Sequence, residues 1–461
     1  MLYVGFAFYF LLVTGLGIFA SRRVKTVDDY LVADRKLPFW ILLPTIVATW
    51  YGAGSCMGVA GTVYAEGCSS VLADPFGCSL ALLIAGIFFA GPMRRMRLLT
   101  VCDILGKNYG KKSEIFASLS MMPFYIGTLA AQMVALGYLC HIVTDLPIVI
   151  GICIASLIVL TYTMVGGMWA VSITDVFQLL FLTGGLIAIF FKMPMPENLG
   201  IELKTLLPTR ATFGLSYVGQ ILMTGLGAIM GQDLIQRFLS AKNASSAKKA
   251  SLFAAALYLG LGLVPLIIGL GGRSIFTSLE VPELLLPSLA QKLLSPTGFT
   301  IFALGILSAI MSTADSYLLA GTAIMTQNII FPLTKMREES KLKVMRFSNI
   351  ALTLCAFALA LYAQRIFDLM VHSGALLFVA VFVPVTIALY VKKPSKLGGI
   401  LSMCVGTAGW LLYLVIWGVW GRQNLTDALY AAAICGVCCS LIGYGVGYVY
   451  TSNRSHARSY T

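Results

Sequence analysis

The sequence predicts an all-α polytopic membrane protein with thirteen transmembrane helices, on three observations. Hydrophobic residues make up 59% of the 461 residues and charged residues only 11%, whereas a soluble protein carries about 25% charged residues. Apolar runs recur along the whole chain at about 20 residues each, the length that crosses the hydrocarbon core of a bilayer as a helix. Lys and Arg are concentrated in the short loops between these runs. The net charge of +13 therefore indicates membrane topology and not a nucleic-acid partner.

The predicted spans follow the apolar runs in chain order: 2–20, 38–62, 72–92, 114–140, 146–164, 173–193, 214–238, 250–271, 297–329, 347–363, 367–391, 397–420 and 428–450. With the N-terminus outside, most of the 32 Lys and Arg residues fall in inside loops such as 22–36, 94–112 and 335–346. Cytoplasmic loops carry such an excess of basic residues. We therefore expect the C-terminus inside, a multi-pass location in the plasma membrane (the inner membrane of a bacterium), and membrane lipid as the surrounding partner.

Three polar residues, Ser312, Thr313 and Asp315, interrupt the apolar run 301–316 in the middle of the predicted ninth span. A carboxylate at that depth costs about 2.5–3.5 kcal/mol, so such residues usually face the interior of the bundle and mark the path of an ion or substrate. Hydroxyls in a membrane helix can instead bond the carbonyl one turn earlier. On these grounds both roles are open for Ser312 and Thr313.

Glycines interrupt the second and seventh predicted spans at corresponding depths. These mid-span glycines are Gly52, Gly54 and Gly58 in the second span and Gly225, Gly227 and Gly231 in the seventh. Paired interruptions of this kind point to a site near the membrane midplane, where unwound backbone carbonyls coordinate a cation. They predict a five-plus-five inverted repeat, with spans two to six in one half and seven to eleven in the other. Close helix packing is the alternative explanation of the glycines.

The predicted repeat divides the chain into four parts. Residues 1–37 contain an extra first transmembrane helix and a cytoplasmic loop. The first repeat occupies residues 38–193 and the second repeat residues 194–391. Residues 392–461 contain two C-terminal helices and a short cytoplasmic tail.

Three motifs in order along the chain resemble those of the sodium:solute symporter family. They are residues 29–38 (DYLVADRKLP), 162–178 (YTMVGGMWAVSITDVFQ) and 308–316 (SAIMSTADS). Within that family, residues 47–54, 88–94 and 311–316 are similar to the high-affinity choline transporter branch. The resemblance covers roughly residues 27–390, and it implies the LeuT-type form of the inverted repeat.

The resemblance implies a sodium site between the break of the second span and the ninth span. The matching positions are Ala48 and Tyr51, through their backbone carbonyls, together with Ala309 and the hydroxyls of Ser312 and Thr313. Sodium is a hard cation, and hard cations prefer oxygen ligands. The predicted cofactor is therefore a sodium ion.

Two carboxylates are candidates for a second cation or for a proton. Asp175 matches a family carboxylate near the inner end of the sixth span, but Thr174-Asp175 also fits an N-terminal helix cap, and both roles stay open. Asp315 can bind a second sodium, a cationic substrate or a proton. Asp233 is expected instead to form an ion pair with Arg237, four residues further along the same helix.

The substrate site is predicted around Trp50 at the second-span break. A choline-like quaternary ammonium needs several aromatic faces, but the tryptophans of the choline branch are replaced here by Thr128, Gly231 and Met370. The replacement leaves room for a larger or differently shaped solute with hydrogen-bonding groups. The predicted substrate-binding residues are Trp50, Gly52, Ser55, Thr128, Gln132, Gly231, Gln232 and His372. The polar ones among them can also make interhelical hydrogen bonds.

The sequence favours a sodium-coupled secondary symporter that imports a small organic solute, choline-like or of another amine or amino-acid type, by alternating access. It contains no Gly-x-x-x-x-Gly-Lys-Ser/Thr motif and no His-Glu-x-x-His or nucleophile–base cluster among its three histidines. We therefore expect no nucleotide partner, no catalytic residue and no enzymatic activity. One alternative is a proton-coupled transporter that uses Asp315 or His372. Another is a membrane solute sensor without translocation.

Overall fold

The structure is a computed structural model that describes residues 2–196, 199–206, 214–334, 336–363, 365–366, 374–420 and 425–459. Helices dominate these ranges, and within them the only β pairing is an isolated bridge between Leu37 and Ala241. The all-helical class predicted from the apolar runs is therefore confirmed.

Eight helices make up the first part of the chain. They are α1 (Leu2–Ser21), α2 (Val27–Val32), α3 (Phe39–Trp50), α4 (Gly54–Glu66), α5 (Cys68–Met96), α6 (Val101–Tyr109), α7 (Lys111–Thr144) and α8 (Ile148–Phe190). The short helices α2 and α6 begin with capping boxes, in which Thr26 pairs with Asp29 and Thr100 with Asp103. Such reciprocal bonds satisfy backbone N–H groups that have no partner inside the helix.

Ten further helices follow. They are α9 (Leu199–Lys204), α10 (Leu215–Met230), α11 (Gln232–Ser240), α12 (Ala244–Gly272), α13 (Leu285–Leu293), α14 (Pro296–Leu333), α15 (Glu338–Tyr362), α16 (Leu377–Tyr390), α17 (Lys396–Gly418) and α18 (Leu425–Ser459). Ser295 and Ser395 cap α14 and α17 by accepting a backbone N–H of the first turn. These caps fix where the two helices start.

The described residues contain nine helices that are long and apolar enough to cross a membrane, or eleven if each of two bent helix pairs counts as one span. The bent pairs are α3 with α4 and α10 with α11. The other two predicted spans, 146–164 and 367–391, include residues or side chains outside the part of the chain that the structure describes. The count of thirteen therefore stays a prediction.

Helix α14 forms the centre of the bundle. Every residue from Phe302 to Ile324 is buried, and the helix packs against α7, α8 and α1. A helix that is buried all round has no face for lipid or water. Its polar residues Ser312, Thr313 and Asp315 therefore meet protein groups on neighbouring helices, and this burial positions the candidate site.

Helix α8 is divided by a kink at Gly167. The backbone there has φ +56° and ψ −169°, a combination that only glycine adopts without strain. A Cβ atom at this position would lie 2.8 Å from the carbonyl oxygen of Tyr30 on α2. The absence of a side chain thus lets α2 pack directly on the kink.

Replacing Gly167 by alanine should destabilise the protein, because alanine would be strained at this φ and would collide with the Tyr30 carbonyl. We expect a loss of about 1–3 kcal/mol, measured as a lower melting temperature of the purified protein in detergent. Gly184→Ala is the matched control, since Gly184 lies in the same helix and a Cβ added there would meet nothing within 4 Å. Equal melting temperatures for the two variants would contradict this account of the kink.

Candidate functional site

Two of the membrane helices are broken near their middles. Helices α3 and α4 meet at an angle of 56°, and α10 and α11 at 46°. The first break falls at Tyr51, where the backbone has φ −85° and ψ 70°. The second falls at Gly231, with φ −59° and ψ 125°. Of the three glycines predicted to weaken the seventh span, Gly225 and Gly227 lie in a π-helical stretch, and Gly231 makes the break.

The backbone at the first break is satisfied by neighbouring side chains. Gln132 on α7 accepts a hydrogen bond from the Ala53 N–H at 3.0 Å, and Ser55 donates to the Trp50 carbonyl at 3.1 Å. Gly52 leaves room for α14, because a Cβ at this position would lie 2.4 Å from Thr313 Oγ1. Protein groups therefore cover the unwound segment, as unsatisfied backbone inside a membrane requires.

The residues predicted to bind sodium lie on both sides of this break. Thr313 Oγ1 is 3.3 Å from the Ala48 carbonyl oxygen, to which it donates, and Ser312 Oγ donates to the Asp175 carboxylate. Ala309 and Tyr51 are also buried. Ala309, Ser312 and Thr313 share one face of α14, since residues three and four apart are neighbours on a helix. The hydroxyls thus reach across to other helices, and back-bonding to their own helix is not what the structure shows.

Asp175 lies inside α8, two turns beyond the kink at Gly167, so one of the two roles left open for it, the helix cap, is wrong. The error came from placing the start of the sixth span at residue 173. Its buried carboxylate accepts hydrogen bonds from Thr45 and Ser312, and the Arg237 guanidinium is 3.8 Å away. Asp175 therefore contacts one of the predicted sodium ligands, Ser312.

The predicted ion pair between Asp233 and Arg237 is also wrong. The Asp233 carboxylate accepts a hydrogen bond from Trp50 Nε1 at 2.6 Å. Arg237 is fully buried, donates to the Asp233 backbone carbonyl at 3.0 Å and to Ser316, and forms its ion pair with Asp175. The two residues lie four positions apart on α11, but their side chains reach different helices. Asp233 bonds Trp50 on α3, and Arg237 pairs with Asp175 on α8.

A cavity opens beside the first break, with an empty volume of about 570 Å³, part of it open to solvent. Four aromatic side chains and one carboxylate are prominent in its lining: Trp50 from α3, Asp74 from α5, Phe124 from α7, Tyr258 from α12 and Tyr317 from α14. Sequence reasoning found only Trp50 among them. The others come from separate helices, and their surroundings in sequence are ordinary apolar runs.

The other predicted substrate residues occupy different places. Gly52, Ser55, Gln132 and Gly231 shape or satisfy the two breaks. Thr128 is buried on α7, one turn before Gln132. Gln232 bonds through its side chain to the backbone of Leu99 and Val101, so it holds the start of α6. His372 and Met370 lie outside the described residues. Asp315 is buried on α14, one turn beyond Ser312.

Asp233 is a residue of the site that the sequence analysis assigned to a different role. It lies two residues after Gly231 in the first turn of α11, where the helix dipole favours a negative charge. A carboxylate at the start of a half-helix, two residues after a mid-span glycine, is a signal that could have placed it beside the break.

A helical membrane protein with two broken helices, polar contacts between the first break and a buried helix, and an adjacent cavity has the features of a secondary transporter. Comparisons with known proteins agree. The family model described as "SSF: Sodium:solute symporter family" matches residues 30–406, which is most of the chain. The chain therefore belongs to the sodium:solute symporter family, and the resemblance of its motifs is confirmed. Members of this family are transporters, so the chain is a transport protein and not an enzyme.

Individual proteins show the same relationship. High affinity choline transporter 1 of Homo sapiens is 29% identical over 433 residues, which are 86% of this chain and 74% of that protein. High-affinity proline transporter PutP of Bacillus subtilis is 26% identical over 472 residues, 96% of each chain. The solved structure of a Na⁺-coupled sialic acid symporter superposes with a TM-score of 0.79 at 20% identity, covering 96% of this chain and 97% of the other. That likeness shows a shared fold.

Replacing Arg237 by methionine should strongly destabilise the protein, because Asp175 would keep a buried charge without its cation. Loss of one member of a buried pair costs about 3–5 kcal/mol, which would appear as a large drop in melting temperature in detergent. Adding Asp175→Asn should recover a substantial part of the loss.

The matched control is Lys341→Met, which breaks the more exposed pair with Glu338 on α15 and should change the melting temperature little. A double variant no more stable than Arg237→Met would show that the pairing with Asp175 is not what stabilises Arg237.

Proposed function

We propose that the protein is a sodium-coupled secondary symporter that imports a small organic solute, choline-like or of another amine or amino-acid type, by alternating access. Membership of the sodium:solute symporter family and relatives named as choline and proline transporters support this function. The driving force is the electrochemical gradient of sodium. Each sodium ion contributes about 2.3 kcal/mol per 100 mV of membrane potential, in addition to its concentration gradient.

The sodium site in this proposal consists of the Ala48 and Tyr51 carbonyls, Ala309, and the hydroxyls of Ser312 and Thr313. The 3.3 Å contact between Thr313 and Ala48 is the observation that carries the proposal. It places the hydroxyls of α14 next to a backbone carbonyl at the end of α3. Asp175, joined to Ser312, lies close enough to add negative charge. Asp175 and Asp315 remain candidates for a second cation or a proton.

The segment from Ala48 to Tyr51 connects the ion to the solute. The Ala48 carbonyl meets Thr313 of the proposed sodium site, while the side chain of Trp50 lines the cavity. A bound sodium would fix the backbone of this segment and with it the position of the indole. A solute packed on Trp50 would in turn hold the carbonyls in place. Each ligand therefore favours the conformation that the other binds, which is the thermodynamic requirement for coupling.

Thirteen spans in a LeuT-type five-plus-five repeat complete the proposed architecture, with the N-terminus outside and the C-terminus inside the plasma membrane. Its parts are residues 1–37, the repeats 38–193 and 194–391, and the C-terminal part 392–461. The bent helix pairs 39–66 and 215–240 support the repeat, since each pair forms the first span of its proposed half.

Polar contacts hold both ends of the bundle around the cavity. At the proposed inner end, Asn328 on α14 donates to Asp103 at 2.8 Å and to Glu114 at 2.9 Å. At the proposed outer end, Arg273 after α12 donates to the carbonyls of Tyr64 at 2.9 Å and Val63 at 2.8 Å. In alternating access, one set of contacts would open while the other stays closed.

Thr313→Ala should weaken sodium binding, because it removes a hydroxyl ligand from the proposed site. We expect the sodium concentration for half-maximal uptake of radiolabelled choline, N,N-dimethylethanolamine or proline into proteoliposomes to rise by about tenfold. Thr313→Ser keeps the hydroxyl and should stay close to the unchanged protein.

Thr407→Ala is the control, since the Thr407 hydroxyl bonds its own helix at the Met403 carbonyl. Uptake that is indifferent to sodium for all three solutes would refute sodium symport. Binding of a solute without any accumulation would favour the sensor alternative.

Proton coupling is tested at Asp315. If sodium drives transport, a pH gradient imposed without sodium should give no accumulation, and uptake by Asp315→Asn should still depend on sodium. Uptake into proteoliposomes is compared with sodium present and with sodium replaced by potassium. This comparison measures both the accumulation driven by the pH gradient and the sodium dependence of Asp315→Asn. Uptake driven by the pH gradient alone and abolished in Asp315→Asn would replace the sodium mechanism by the proton alternative.

A further inference from the structure

The cavity contains a carboxylate that the proposed sodium site does not use. Asp74 lies in α5, where the backbone leaves the helical conformation with φ −139° and ψ 122°. Its side chain is 1% exposed and lines the cavity together with Trp50 and Tyr258. A carboxylate at such depth in a membrane protein is costly, and it usually faces a functional partner.

The hydrogen bonds to Asp74 leave acceptor capacity unused. The Ser55 hydroxyl contacts one oxygen, and the Tyr258 hydroxyl lies 3.1 Å from both. These two hydroxyls hold one hydrogen each, and both also lie near the Trp50 carbonyl oxygen. A carboxylate has about four acceptor positions, so at least two remain for donors from another molecule.

Asp74 also differs from Asp175 in its charged neighbours. Asp175 has Arg237 at 3.8 Å, whereas no ion pair joins Asp74 to a basic side chain among the residues that the structure describes. A buried charge without a counter-charge is strongly unfavourable. A cation that enters the cavity would therefore be bound more tightly here than a neutral molecule of the same shape.

The walls around Asp74 suit an organic cation. The cavity is lined by the aromatic rings of Phe124, Tyr258, Tyr317 and Trp50, and Ala228 and Leu377 add apolar surface. Aromatic faces attract cations electrostatically and also bury alkyl groups. A bare inorganic cation would gain little from such walls, whereas an alkylammonium ion would use both the walls and the carboxylate.

We propose that the solute is a protonated alkylamine with at least one N–H bond and that its ammonium group pairs with Asp74. This inference rests on the proposed transport function and narrows its substrate class. A quaternary ammonium has no N–H to donate, so it would leave the remaining acceptor positions of Asp74 empty. A primary, secondary or tertiary ammonium fills them with charge-assisted hydrogen bonds, which are the stronger kind.

The test compares three molecules of similar shape: N,N-dimethylethanolamine, which is a protonated tertiary amine, its quaternary analogue choline, and the neutral 3-methylbutan-1-ol. Their affinities for the full-length protein in detergent are measured by thermal shift at millimolar concentrations, with sodium and with potassium. We expect the tertiary amine to bind most tightly. In Asp74→Asn its affinity should fall by about tenfold or more.

Asp427→Asn is the matched control, because the Asp427 carboxylate, on α18, accepts a hydrogen bond from Ser216 on α10 and does not line the cavity; its affinities should not change. The comparison of the three molecules on the unchanged protein holds even if Asp74→Asn fails to fold. Equal or tighter binding of choline or of the alcohol, unchanged affinity in Asp74→Asn, or no shift with the amine would each overturn the proposal. An Asp74→Asn variant that loses sodium binding but keeps amine binding would assign the carboxylate to an ion instead.

These outcomes are separate from failure of the proposed transport function. Sodium-dependent binding of choline or the alcohol in preference to the amine would reject the amine class and leave symport standing. Amine binding that depends on Asp74 but not on sodium would support the substrate class and reject sodium coupling.

Discussion

The structure depends on a backbone that is unwound inside the membrane and must still have all its polar groups satisfied. Where α3 ends, between Ala48 and Ala53, the helix does not supply every backbone hydrogen bond, and no water of the bilayer core can replace the missing ones. Gln132, Ser55 and Thr313 do so from three directions. The surrounding helices are thereby fixed relative to the break: α7 by Gln132, and α14 by the close approach of Thr313 to Gly52. The candidate ion site and the cavity are both consequences of that arrangement.

Charge imposes a second constraint on the same region. Arg237 and Asp175 are fully buried and lie on different helices, and Asp233 is held by Trp50. Separating Arg237 from Asp175 would leave an uncompensated charge in a medium of low dielectric constant. The network runs from Ser312, at the proposed sodium ligands, through Asp175 and Arg237 to the helix that carries Asp233. It therefore links the proposed sodium ligands to Trp50 and to the cavity that Trp50 lines.

The sequence predicted the features that are local in the chain and missed those that are assembled from distant parts. The mid-span glycines located both breaks to within a few residues, and the polar run at Ser312 and Thr313 identified the central helix. Asp74, Phe124 and Tyr258 could not be predicted, because each stands alone in an apolar run and only packing brings them together. The errors at Asp175 and Arg237 have a related cause. A cap and a four-residue ion pair are the roles that neighbours in sequence suggest, whereas burial rewards partners on other helices.

The bridge between Leu37 and Ala241 has a mechanical consequence. It pairs the backbone just before α3 with the backbone just after α11, through bonds of 3.0 Å from Leu37 N–H to the Ser240 carbonyl and 2.8 Å from Lys242 N–H to the Leu37 carbonyl. The start of α3 and the end of α11 are thus joined by backbone hydrogen bonds, so a tilt of one half-helix at this end pulls on the other. Through this contact, bending at Tyr51 is coupled to bending at Gly231.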